Sequence, residues 1–182
     1  MAKLVSKTYG DALFELALEE DKLDILFEES KGIREVFLSN NELIKLLNHP
    51  KIDKDEKIKV MENIFTERAS KDFVAFLTII IKKERQNNII GILDYFIAAV
   101  KEYKKIGVAY VTTAIELTEN KRKSVEERLL ATTKYEQFEM NFTVDKSIIG
   151  GMIIRIGDRV VDSSIRTKLN EMSRDLYKIQ LV

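Results

Sequence analysis

The stretch Lys101-Glu102-Tyr103-Lys104-Lys105-Ile106-Gly107-Val108-Ala109-Tyr110-Val111-Thr112-Thr113 divides the chain into two kinds of pattern. Ahead of it, from Leu4 to Tyr103, apolar residues recur at helical spacing. Behind it, Val108 to Leu117 is rich in β-branched residues, and Phe138, Met140, Phe142 and Val144 alternate with polar neighbours, which is the period of strands. Lys101, Lys104 and Lys105 are cations suited to a helix C-terminus, and Gly107 is expected to be the helix stop. The pattern predicts an α+β protein, with a helical domain over 1–106 and a small αβ domain over 107–182.

On the N-terminal side the spacing predicts a six-helix bundle. The first helix is expected from Leu4 to Glu20, the second from Lys22 to Leu38, and a short third from Asn40 to Leu47, stopped by Pro50. Asp53-Lys54-Asp55-Glu56 has the capping-box arrangement that opens the fourth, and Ser70 or Lys71 opens the fifth. The most apolar run, Phe73 to Ile81, is far shorter than the roughly 18 residues a membrane span needs, so it reads as a buried core helix. The sixth carries Ile89, Leu93, Phe96, Ile97 and Val100. Gly32, inside the second helix, costs about 1 kcal/mol relative to Ala, and the sequence offers no reason for it.

On the C-terminal side the expected order is β-α-β-β-β-α. Thr118 can cap a helix carrying Val125, Leu129 and Leu130, and the segment Met152 to Val161 reads as a tight hairpin turning at Gly157-Asp158. Asp162, Ser163 or Ser164 caps a last helix with Ile165, Leu169, Met172 and Leu176 on one stripe.

Composition narrows the chemistry. Lys plus Arg and Asp plus Glu are 30 each, so the whole-molecule field favours neither nucleic acid nor an anionic membrane. With no Cys and one His, thiolate nucleophiles, disulfides, zinc sites and the common catalytic triads are excluded. The N-terminus is basic but lacks the apolar region of a signal peptide. Gly150-Gly151 and Gly157 match neither phosphate-loop spacing, and turn geometry or close backbone approach explains them better. Asp145, Asp158 and Asp162 sit at expected turns and caps, and His49 before Pro50 is placed to bond the last carbonyls of a helix. Lys121-Arg122-Lys123 lacks interleaved aromatics and reads as a solvated helix end. No catalytic residue, cofactor or metal is expected.

The first helix is two-faced. Val5, Tyr9, Ala12, Leu13 and Leu16 share one wide face, while Leu4, Phe14 and Leu18 fall nearly opposite. Either this helix is central in its bundle or part of its surface is reserved for a partner.

Three segments together resemble one family. They are Tyr9-Gly10-Asp11-Ala12-Leu13-Phe14-Glu15-Leu16-Ala17, then Leu46-Leu47-Asn48-His49-Pro50-Lys51-Ile52, and above all the run from Val144 to Asp162 containing Ile149-Gly150-Gly151-Met152 and Arg155-Ile156-Gly157-Asp158. This pattern is similar to the delta subunit of bacterial F-type ATP synthase, a relative of the mitochondrial oligomycin sensitivity-conferring protein. One departure is Ser163, where the family usually has Gly, and the tail Tyr177 to Val182 runs past the family's usual end.

The resemblance implies a non-catalytic stator subunit that links the catalytic head to the membrane sector and resists rotor torque. It implies that the helical domain binds the N-terminal helix of an alpha subunit between helices one and five, at Tyr9, Ala12 and Ile79. The αβ domain would meet the b subunits, with Ile165, Leu169, Met172 and Leu176 as contact residues. The location implied is the cytoplasmic face of the bacterial membrane, reached only through the complex, without nucleic acid. A regulatory module binding nucleic acid or nucleotide is the alternative reading.

Overall fold

The computed structural model describes residues 2–179. Among them it is a helix-rich α+β protein with eight α-helices and one mixed four-stranded sheet. The chain divides into two compact units, Met1–Lys101 and Glu102–Val182.

The first unit contains α1 (Ala2–Glu19), α2 (Leu23–Ser39), α3 (Asn41–Leu47), α4 (Lys54–Phe65), α5 (Lys71–Lys82) and most of α6 (Ile89–Tyr103). Its core is one cluster in which Leu13, Leu26, Phe37, Met61, Phe65, Phe73, Ile80 and Phe96 are almost fully enclosed. Phe37 of α2 stacks on Phe65 of α4 with ring centroids 6.0 Å apart. Side chains of this size each contribute about 1.5–3 kcal/mol on burial, so the apolar stripes rather than helix propensity hold the unit together.

Caps explain some helix starts and not others. Ser70 Oγ accepts from the Phe73 amide, and Glu29 of α2 in turn accepts from both the Ser70 amide and hydroxyl at 2.8 Å, so the start of α5 is tied to α2. Asp53 does occupy the N-cap of α4, but its side chain makes no capping bond, so the Asp53–Glu56 box is not formed. Nothing lies near the position a Cβ would take at Gly32, so packing does not require glycine there.

The second unit holds β1 (Ile106–Thr113), α7 (Glu119–Thr132), β2 (Gln137–Val144), β3 (Met152–Ile156), β4 (Arg159–Asp162) and α8 (Ile165–Ile179). The sheet order is β2-β1-β3-β4, with β1 parallel to β2 and antiparallel to β3. The register places Gly107 beside Phe138, Ala109 beside Met140 and Val111 beside Phe142, so these residues share the face with the buried side of β1. Arg122 of α7 lies over the Phe142 ring, with 5.0 Å to its centroid.

The turn out of α6 differs from the sequence expectation. Gly107 is not the helix stop; it lies inside β1, where an added Cβ would meet Phe138 Cε1 at 2.4 Å. Lys105 makes the turn instead, at φ 54, and its ammonium pairs with Glu136 at 2.6 Å. The close packing of an aromatic ring, not helix termination, is what demands glycine at 107.

Candidate interaction surfaces

The expected residues of the first unit lie on its surface to different degrees. On α1, Leu13 and Ala17 are fully buried, Tyr9 is half-buried against the core, and Ala12 is exposed. Leu4 and Leu18 are exposed, whereas Phe14, which helical spacing puts on their face, packs on the core. The apolar surface of this helix is thus divided between core and solvent.

Ile79 is half exposed on α5. It lines a groove of about 480 Å³ together with Glu62, Thr66, Ala69, Val74 and Ala75, residues of α4, α5 and the link between them. Tyr9 and Ala12 do not line that groove.

His49 does not bond helix carbonyls as expected. Its Nδ1 accepts from the Lys51 amide at 3.2 Å, beyond the end of α3.

In the second unit the double glycine is explained by close backbone approach. Gly151 has φ 77, and a Cβ there would lie 2.3 Å from the Ser163 carbonyl oxygen. Both the amide and the hydroxyl of Ser163 donate to the Met152 carbonyl, at 3.0 and 2.9 Å. The Ile165 amide donates to the Gly150 carbonyl at 3.0 Å. Gly157 has φ 54 at the first position of the two-residue turn between β3 and β4, where hairpin turns need positive φ.

The start of α8 is built from three polar side chains. Ser164 Oγ accepts from the Thr167 amide at 3.2 Å, while the Asp162 carboxylate accepts from the Ser164 amide at 2.8 Å and the Thr167 hydroxyl at 2.7 Å. These bonds favour the charged form and hold Asp162 below the usual carboxylate range. Asp145 is lowered for the same reason, its carboxylate accepting from the Ser147 amide and hydroxyl.

Beyond this anchored start, α8 presents its apolar stripe to solvent. Ile165, Leu169, Met172 and Leu176 are 43%, 52%, 63% and 64% exposed. All four expected residues therefore lie together on one open helix face. Sequence reasoning missed Ile149, which is 60% exposed immediately before the double glycine. A β-branched residue gives no warning that the backbone places it at φ 68.

Among the described residues, no cluster of three or more His, Cys, Asp or Glu side chains is arranged to hold a metal. No described helix is long and apolar enough to cross a membrane.

The family model described as ATP synthase delta (OSCP) subunit matches residues 5–176. The chain is 62% identical over 181 residues to the ATP synthase subunit delta of Lachnoclostridium phytofermentans, covering 100% of both chains. It is 36% identical over 165 residues to the corresponding subunit of Desulforamulus reducens, covering 91% of each. A chain in a cryo-EM structure of the Toxoplasma gondii mitochondrial ATP synthase hexamer has the same fold. It matches with a TM-score of 0.75 over 94% of this chain and 97% of that one, at 17% identity.

Proposed function

The chain belongs to the ATP synthase delta (OSCP) subunit family, and from that premise we propose which of its surfaces make the contacts of a peripheral stalk. It is a non-catalytic stator subunit of a bacterial F-type ATP synthase. The helical unit, as a six-helix bundle, is the head-binding part, and the αβ unit is the stalk-binding part. Tyr9 and Ala12 on α1 and Ile79 on α5 receive the N-terminal helix of an alpha subunit, a helix-in-groove mode of contact in which the α1 residues lie outside the α4–α5 groove that Ile79 lines. Ile165, Leu169, Met172 and Leu176 on α8 receive the C-terminal helices of the b subunits. The subunit works at the cytoplasmic face of the membrane, held there by the complex.

The observation that carries this reading is the solvent-facing stripe of α8. Four large apolar side chains on an anchored helix leave several kcal/mol of burial unused until a partner covers them. The test is a pull-down from solubilised membranes with the tagged full chain. Recovery of alpha, beta and b subunits is expected, and the double variant Leu169→Asp, Leu176→Asp should lose b while keeping alpha. Retention of b by that variant would overturn the α8 assignment.

A further inference from the structure

We propose that Ile149 is a contact residue of the α8 surface, held outward for an amphipathic partner helix by a strained turn of the backbone. The inference rests on the reading that α8 receives the stalk helices.

Ile149 has φ 68 and ψ −42, and the Gly150 amide donates to the Ile148 carbonyl across it at 2.8 Å. This three-residue ring is a γ-turn with positive φ, a rare and strained conformation. A β-branched side chain is among the least suited to it. The core gains little from this placement, because the neighbouring Ile148 is the buried residue and Ile149 stands 60% exposed. Strain kept at a position with little internal packing points to a use outside the chain.

Ile149 adjoins the root of the α8 stripe. An atom added at the next residue, Gly150, would meet Ile165 Cδ1 at 2.7 Å, so the Ile165 side chain lies against the backbone that follows Ile149. Residues 165, 169, 172 and 176 are spaced by four, three and four, the seam spacing of helices that pack side by side. Ile149 is exposed next to the backbone that Ile165, the first residue of that seam, lies against.

The charges at this end favour an acidic partner by a small margin. Arg166 and Lys168 border the seam beside Ile165 and Leu169, and Lys146 lies in the turn preceding Ile149. Against them stand Asp145, which Arg166 faces, and Asp162, and both carboxylates are already engaged by amide and hydroxyl donors of the turn and cap. The occupant that fits is a helix carrying acidic residues on both sides of its apolar seam at this end.

The experiment measures binding of the full chain to the C-terminal helical segment of the b subunits, together with thermal unfolding. Ile149→Gly removes the side chain and relieves the turn. It should weaken binding at least about tenfold, the loss of one buried aliphatic contact, while raising the melting midpoint of the αβ unit by about 2–4 °C. Ile149→Ala keeps a β-carbon and should weaken binding similarly without that gain. A role in internal packing would instead lower the midpoint in both variants, and that result overturns the proposal. Normal binding by both variants, while Leu169→Ser binds poorly, overturns the role of Ile149 and leaves the α8 reading intact. Normal binding by Leu169→Ser as well overturns both.

Discussion

Tyr95 of α6 lies over Gly10 of α1 so closely that a Cβ at residue 10 would meet Tyr95 Cδ1 at 2.4 Å. Its hydroxyl donates to Asp11 Oδ1 at 2.9 Å. One ring thus fixes where α1 crosses α6, by shape at one residue and by a hydrogen bond at the next. Gly10→Ala should destabilise the helical unit by about 1–3 kcal/mol through overpacking, read by urea unfolding. Adding Tyr95→Leu should recover part of that loss, because the clash and the mutation share one contact. Additive losses would refute the shared contact.

Ala12 is exposed on the same helix, so Ala12→Arg should leave stability within about 0.5 kcal/mol of the parent. Its affinity for an alpha-subunit N-terminal peptide should fall by at least about tenfold if that helix packs there, since a charge would be desolvated. Calorimetric titration with the peptide decides the matter. Unchanged affinity rules out Ala12 as a contact of that helix.

Gly151→Ala places a methyl where the Ser163 carbonyl stands and forces an L residue to φ 77. A loss of at least about 2 kcal/mol is expected in the αβ unit. The unfolding of the helical unit should be unaffected. Two-probe thermal unfolding separates the units, and equal destabilisation of both would contradict the prediction.

Asp145 and Asp162 are both held below the ordinary carboxylate value of about 3.9 by their amide and hydroxyl donors. A carboxylate whose folded pKa is depressed stabilises the fold fully above its unfolded pKa and loses that contribution as pH falls through the folded value. The αβ unit should therefore weaken on acidification below about pH 4, with protonation of Asp162 releasing the start of α8. Asp162→Ala should lower stability at neutral pH and flatten the acid dependence of α8 helicity measured by circular dichroism. An unaltered acid profile would show that this carboxylate carries none of it.

How much of this was legible in the sequence depends on the range of the interaction. The stripe on α8 was readable because spacing along one helix fixes which residues share a face, and Ser70 was readable as a cap because capping is local. Gly107 was misassigned because its reason is Phe138, thirty-one positions away on a neighbouring strand. Gly10 lies within the Tyr9–Ala17 motif, yet its partner Tyr95 follows only from the crossing of α1 and α6. The Asp53 box shows the opposite failure, since the local signal was present and the side-chain bond did not form. Ile149 gave no signal at all, because the strain belongs to the backbone and not to the residue type.

The junction of β3 and α8 also defines a load path. Ser163 gives two hydrogen bonds to the Met152 carbonyl and Ile165 one to that of Gly150, so two segments more than ten residues apart in sequence are riveted at adjoining points. A pull on α8 enters β3 through several parallel fasteners, all sited at the helix root, and passes from there to β1 through the ladder of the sheet. Fasteners that share a load in this way must fail together, which makes the root of α8 stiffer than any single hydrogen bond within it.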